Sequence, residues 1–487
     1  MPLIPHGEYR PDIADYEGAT TKNILNVLPR GDGYGPFPDF TVYSAALPGR
    51  CRGAFYALES GGTIATFAGT ATRLYKLNNT TLVWEDVSKG GVAYSALTTT
   101  SQWQFVQFNN FVIAVQGNVP VQVYDLSSSS AFADLAGSPP QSAYVSIVGR
   151  FVVLSGLTSF PFRIQWSGLN APTTWTSGVN SSDYQDFPDG GIVRGVAGGE
   201  FGTVFQDQAI RRMTFAPGSA VIFQIERIAE DMGCYAPYSI IRAGDKIFFH
   251  SAKGFHKIEP GGLPVQIGRE RVDRTFFQNL DKSNPQLFMG AADPRGTRVY
   301  WAHKSVDGLD GLFDTLLVYD DALDRIAPVL MSGSFLLGIS QSGITLENLD
   351  TISGSLDSLV SSLDNYEKSV TPEISQFGAS NCLGFFRGAN LEATLESAEQ
   401  GTDGQRLFIR GFRPITDAPV VYGSVSARDT QQADATAGLE VLINSRTGRC
   451  DLRKETRYSR FRSRIPAGTA WTFSAGVEPD VTTAGAL

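Results

Sequence analysis

The feature that most constrains this chain is a hairpin that recurs six times in its first two thirds. Each copy is a short apolar strand, a turn, and a second strand ending in an aromatic or aliphatic cluster. The copies read TIATFAGTATRLYKL (63–77), NFVIAVQGNVPVQVYDL (110–126), RFVVLSGLTSFPFRIQW (150–166), EFGTVFQDQAIRRMTF (200–215), DKIFFHSAKGFHKIE (245–259) and TRVYWAHKSVDGLDGLFDTLLVYD (297–320). The middles of their second strands, Tyr75, Tyr124, Ile164, Met213, Lys257 and Val318, lie 49, 40, 49, 44 and 61 residues apart. This is the period of propeller blades, with the last interval stretched by the insert VDGLDGLFD. One such hairpin cannot bury its own apolar face, whereas a closed radial ring can and leaves only short edges. The expected fold class is therefore all-β: a β-propeller of about six blade-like repeats with an extended N-terminal arm and a smaller C-terminal β-domain. One or two β-sandwiches form the competing architecture. WD, GH and kelch-type signatures are missing, so the propeller families that carry them do not apply.

The expected division is an N-terminal arm at 1–55, a propeller-like domain at 56–335, a linker at 336–380 and a C-terminal β-domain at 381–487. The arm is rich in Gly, Pro and Asp with isolated apolar anchors, a composition suited to lying along another surface. On that reading its removal leaves a folded propeller. In the linker, Leu346, Leu349, Ile352, Leu356, Leu359 and Leu363 follow a 3/4 spacing compatible with an amphipathic helix, against which Gly354 and many serines count. RLFIRGF, APVVYGSVSAR, LEVLINSR and AWTFSAGVEP then return to strand-like runs.

Composition narrows function. With 40 Lys+Arg against 49 Asp+Glu the net charge is −9, which argues against an ordinary nucleic-acid binder. No run of ~18 apolar residues provides a membrane span, and MPLIPHGEYRPD lacks the layout of a secretory signal. The glycosylation-type matches at Asn78, Asn79 and Asn180 then carry no meaning. Cys51, Cys234, Cys382 and Cys450 are dispersed and read as reduced thiols. P-loop, nucleophile-elbow and zinc-protease motifs are not found. GDGYG (31–35) reads as a flexible turn, and DGLDGLFD (307–314) as a solvated hairpin tip rather than a Ca²⁺ loop. Of four histidines, His250 and His256 bracket one turn and read as structural, alongside His6 and His303. The expectation is a non-enzyme without metal or cofactor.

One charge cluster stands apart. Eight basic residues run from Arg446 through Arg449, Arg453, Lys454, Arg457, Arg460 and Arg462 to Arg464. In YSRFRSRIP, strand alternation puts Arg460, Arg462 and Arg464 on one face with Tyr458, and Phe461 and Ile465 on the other. A patch meeting an acidic neighbour subunit, a phosphate contact and a solvated outer strand are the readings open.

Three phrases resemble a known family. QWSGLNAPTTWT (165–176), ADPRGTRVYWAHKS (292–305) and TRYSRFRSRIPAGTAWTFSAGVEPD (456–480) are similar to segments of the tail nozzle proteins of short-tailed bacteriophages, also described as packaged-DNA stabilisation or tail tubular proteins. Thr456 stands where that family's pattern has Gly. The resemblance spans nearly the whole chain. It implies a structural virion protein, made in the host cytoplasm, that forms a six-fold homo-oligomeric ring below the portal and adaptor. Such a ring extends the DNA-ejection channel, helps retain the packaged genome and meets tail fibre or plug proteins. Duplex DNA passes through without specific binding, as an acidic subunit favours. On this reading Tyr9, Arg10 and Asp12 of the arm, with Arg457, Arg460, Arg462 and Arg464, are candidate subunit-interface residues. The alternative is a virion propeller that binds or hydrolyses host-surface glycan, with Trp166 and Trp175 as first residues to test.

Overall fold

The computed structural model describes residues 3–14, 18–219, 221–284, 287–340, 372–401 and 405–486. The leucine-spaced segment 346–369 lies outside these. Each expected hairpin forms the middle of a four-stranded antiparallel sheet: 54–86, 104–134, 142–186, 193–230, 241–266 and, for the sixth, the strands beginning at Phe288. The chain is a β-propeller. Second strands such as Ile64–Gly69 and Gly202–Gln206 are buried at every position. They lie between neighbouring blades, so both faces are covered and the sequence reads as an apolar run rather than an alternation.

Apolar clusters fill the gaps between successive blades. Phe67, Tyr124 and Phe132 join the first two blades; Val115, Leu154 and Trp175 the next pair; Phe151, Trp166 and Phe223 the third and fourth. Phe205 meets Phe249, and Phe248, Phe255, Phe276, Trp301 and Tyr319 join the fifth blade to the sixth. Each buried ring of this kind contributes roughly 1.5–3 kcal/mol relative to exposure.

The ring closes through a seventh blade that the repeat pattern does not contain. Strand Arg325–Ile339 is the outer strand of the sixth blade as far as Gly333, shifts register there, and continues from Phe335 as the inner strand of a further sheet. A Cβ at Gly333 would lie 2.8 Å from the Phe377 carbonyl oxygen, so the crossing needs glycine. The new blade continues with Glu373–Gly378 and Cys382–Asn390, and its outer strand is Pro38–Ala46 from the N-terminal segment. Phe335, Leu337, Phe377 and Phe385 of this blade share one core with Leu316 of the sixth blade and Tyr75 and Trp84 of the first.

This corrects the expected division. The described residues of 1–55 do not form an extended arm, because their strands complete sheets of their own chain. Ile339 and Glu373, assigned to the linker, are strand residues of the seventh blade. The remaining N-terminal strands enter a β-sandwich with the C-terminal third. One sheet runs Cys450–Thr456, Gln405–Thr416, Ser474–Ala486, Gly33–Pro36, Val27–Arg30, with Ile4–Pro5 also on Ser474–Ala486. The other runs Thr436–Ala437, Tyr422–Arg428, Tyr458–Ile465, Ala393–Glu396, Ile24–Leu25. Ile4, Ile409, Phe412, Val425, Phe461 and Val477 form the core between them.

Asn26 ties the sandwich to the propeller. Its backbone N–H donates to the Pro328 carbonyl (3.0 Å), its Oδ1 accepts from Leu330 N (2.8 Å), and its Nδ2 donates to the Glu392 carbonyl (2.8 Å). It holds φ 59°, a left-handed conformation that Asn tolerates better than most residues. Asn26→Leu is expected to destabilise the chain by about 2–4 kcal/mol, from two lost side-chain bonds and the added strain. Urea denaturation checks this. A truncation of residues 1–46 is expected to abolish the cooperative thermal transition, because it removes strands from four sheets; a transition near the full-length Tm would show that the segment is dispensable.

Candidate functional site: the axial cavities and the basic strand

The first strands of the blades surround the propeller axis. Residues before and within them enclose a cavity of about 290 Å³ lined by Gln104, Tyr144, Arg194, Ile240, Met289 and Phe335. Towards the face bearing the 98–101 and 232–238 loops lies a second cavity of about 460 Å³, sharing Tyr144, Arg194 and Tyr238 with the first. Tyr238 sits on the turn Pro237–Ser239, edge-on to Tyr144 with ring centres 6.1 Å apart, and its hydroxyl accepts from Gln102 N at 2.9 Å. Burial pushes the Tyr238 phenol up to about 12, so it stays neutral. Arg194 and Asp207 pair at 2.5 Å in the same wall. Cys234 is buried, its thiol pushed up to about 12 by that burial and donating to the Ala236 carbonyl, which suits a packing residue rather than a nucleophile. These cavities offer aromatic rings, the Arg194–Asp207 pair and two further cations, Arg242 in the first and Lys282 in the second.

Trp166 and Trp175 are inter-blade core residues, each 4 % exposed, with indole N–H groups donating to Ser181 O (2.9 Å) and Pro172 O (2.8 Å). The exposed aromatics of this blade are Phe160, Phe162 and Tyr184. The Arg163 guanidinium stacks over Phe160 and Tyr184, 4.2 and 3.7 Å from their centres. In the 307–314 loop the carboxylates diverge: Asp314 accepts from Ser305 N at 2.8 Å, while Asp310 leans towards Lys304 at 3.6 Å.

The basic strand adopts the alternation expected of it, but at the centre of a sheet rather than at an outer edge. Tyr458–Ile465 lies between Tyr422–Arg428 and Ala393–Glu396, with Phe461 and Ile465 buried and the three arginines half-buried. Arg464 holds Glu440 (2.6 Å) and Glu392 (2.8 Å), and Arg460 approaches the buried Glu399 at 3.6 Å. Arg428 also pairs with Glu399. Arg462 stands opposite Glu396 in register, and the Nε groups of Arg457 and Arg462 are buried without a hydrogen-bond partner among the described residues. The Arg464 bond holds the Glu440 carboxyl below its ordinary range. Sequence alternation located these arginines; the carboxylates that meet them, from the stretch 392–399 and from Glu440, had no local signature.

The N-terminal candidates are brought to a different place. Tyr9 packs against the cores of both the blade five–six junction and the sandwich. Arg10 pairs with Glu8 (2.7 Å), which reaches Arg271 (3.4 Å). Asp12 caps the short helix Asp273–Asn279: its carboxylate accepts from Arg274 N (2.8 Å) and Thr275 N (2.9 Å). These residues dock the N-terminal segment onto their own chain.

His250 has no exposure and is ringed by Phe255, Phe276, Phe277 and Phe288 at 4.8–5.1 Å. Burial pushes His250 down to about 3, and His6 and His303 to about 4. These folded values lie below the unfolded 6.5, so the neutral rings contribute stability that is complete above pH 6.5 and is lost as pH falls towards 4. Asp273, raised to about 6 by burial, gives the opposite sign between pH 4 and 6. Denaturation free energy is therefore expected to decline from pH 7 to 5, by up to ~1.4 kcal/mol per pH unit for each histidine. His250→Leu should make that decline shallower by about one proton's share.

No family model matches the chain, and no curated protein matches it. Solved structures similar to it include the extracellular domain of a hybrid two-component system from B. thetaiotaomicron, at TM-score 0.43 and 11 % identity. That match covers 82 % of this chain, which spans only 47 % of that protein. BamB from Moraxella catarrhalis (TM-score 0.35, 11 % identity) is covered over 87 % of its length by 64 % of this chain. A quinoprotein alcohol dehydrogenase-like protein from Bacteroides thetaiotaomicron (TM-score 0.34, 11 % identity) is covered over 66 % by 57 % of this chain. The likeness is one of fold.

Replacing Arg460, Arg462 and Arg464 by Glu would set new carboxylates against Glu392, Glu399 and Glu440. The triple variant is expected to lose at least ~2 kcal/mol of stability as an isolated chain. Unchanged denaturation would show that the strand's charges are free for a partner.

Proposed function

We propose that this chain is a structural subunit of a short-tailed phage's tail nozzle, attached below the portal and adaptor and assembled as a six-fold ring. The observation that carries the reading is where the three nozzle-like phrases fall. The first supplies Trp166 and Trp175, which fill the two cores flanking the third blade. The second supplies Trp301 to the core of the sixth blade, and Arg298, which pairs with Asp320 (3.0 Å) on the neighbouring strand. The third is the central strand of the sandwich and the loop carrying Trp471, buried with Ile24 and Tyr34. The likeness thus touches framework residues of both modules rather than one surface loop. In such an assembly DNA passes through the ring of subunits rather than along one propeller's axis, where the enclosed cavity is only about 290 Å³. An acidic chain of net charge −9 limits counterion-releasing contacts that would slow its exit.

A second reading, a propeller that binds host-surface glycan, draws on the exposed Phe160, Phe162 and Tyr184 around Arg163, since aromatic faces pack against sugar rings.

Quantitative mass spectrometry of purified particles separates the two. The nozzle reading expects half as many copies of this chain as of the portal protein. Absence from particles would remove it. Saturable glycan-array binding abolished by Tyr184→Ala would favour the second.

A further inference from the structure

The connection from the outer strand of blade seven to the inner strand of blade one carries an unbalanced pair of charges. Its backbone is fixed: Leu47 N donates to Asn381 O (2.9 Å), Arg52 N to Gly69 O (2.7 Å) and Trp103 N to Arg52 O (2.7 Å). Cys51 is buried in the closing core, whereas its neighbours Arg50 and Arg52 are partly exposed at the surface. There they line a cleft of about 800 Å³ whose walls are the turn Thr70–Arg73, Thr99 and the hairpin tip Asp310–Gly311.

The charges in this cleft do not cancel. Arg73 is neutralised by Asp86. Arg52 donates to the carbonyls of Thr98 (2.9 Å) and Ser101, which fix its fork but not its charge. Arg50 makes no hydrogen bond or ion pair among the described residues. Asp310 is the acidic residue of the lining, and its side chain is 98 % exposed and leans towards Lys304. Gly311 (φ 84°) admits the Arg50 guanidinium, because a Cβ there would lie 1.9 Å from Arg50 Nη1. Burial and the Arg50 charge push Arg52 below its ordinary value. Two half-buried cations side by side in an acidic protein need a counter-charge that the described chain does not supply. Guanidinium groups match the oxygen geometry of phosphate. Thr72 and Thr99 line the same space, which is several times the size of a bare ion.

We propose that this cleft binds a small ligand carrying a phosphate-class oxyanion on a hydroxyl-rich body, with Arg50 and Arg52 holding the oxyanion. A phosphorylated sugar has this chemistry. The proposal rests on the cleft alone and stands whether or not the chain is a tail protein.

Isothermal titration of the full chain with glucose 6-phosphate is the test, with glucose and a short DNA duplex as parallel titrants. The expected result is a single saturable site for glucose 6-phosphate, competed by inorganic phosphate, with no binding of glucose. Arg50→Gln should weaken it about tenfold or more, whereas Arg413→Gln on the sandwich surface should not change it. Wild-type protein supplies an independent reading: glucose 6-phosphate should slow phenylglyoxal modification of Arg50 several-fold in peptide mapping. The proposal is overturned by no saturable binding, by equal binding of glucose, by duplex binding alone, by an Arg50→Gln variant of full affinity, or by an Arg50 that stays unprotected.

Discussion

Everything in this molecule depends on the pairing of Pro38–Ala46 with Cys382–Asn390, strands from opposite ends of the chain. A ring of blades is stable only when no blade face is left open, since an unclosed ring presents two apolar sheet faces to water. Bringing such distant segments together costs on the order of 5 kcal/mol in loop-closure entropy. The core of Tyr75 and Trp84, Tyr300 and Phe313, and Phe335, Phe377 and Phe385 offsets that cost by burying aromatic surface from three blades at once. The same N-terminal segment then supplies Ile24, Val27 and Tyr34 to the junction with the sandwich. One stretch of chain thereby closes the ring and fastens the second module to it.

The six inner hairpins were legible because each is local: strand, turn and strand within about 17 residues or one insert, repeated at a blade period. The seventh blade was illegible for the converse reason. Its strands begin at Pro38, Phe335, Glu373 and Cys382, so no window of sequence contains the unit. The Gly, Pro and Asp content of the first fifty residues read as an arm, yet short strands separated by turns have the same composition. Likewise, alternation correctly sorted Arg460, Arg462 and Arg464 from Phe461 and Ile465. It could not reveal that Glu392, Glu399 and Glu440 arrive from elsewhere to meet them. Asp12 shows the same limit, since a helix cap is normally sought beside its helix and this one comes from the other end of the chain.

For function, these placements shift attention from the N-terminal segment and the basic strand to surfaces with unspent chemistry. Of the candidate subunit-contact residues, Tyr9, Arg10, Asp12, Arg460 and Arg464 are engaged within their own chain. The Arg50–Arg52 cleft lies on the connection between two blades and the aromatic platform around Arg163 on the third blade, where a folded scaffold can hold a binding group in position.

Hydrogen exchange read by mass spectrometry under native conditions tests the closure most directly. The slowest amides of the 38–46 peptide should open with the same free energy as those of the buried strand Phe111–Val115, because ring closure and global folding are one event. Exchange of that peptide within seconds, while Phe111–Val115 stays protected, would show that the propeller stands without its N-terminal strand and would contradict this account.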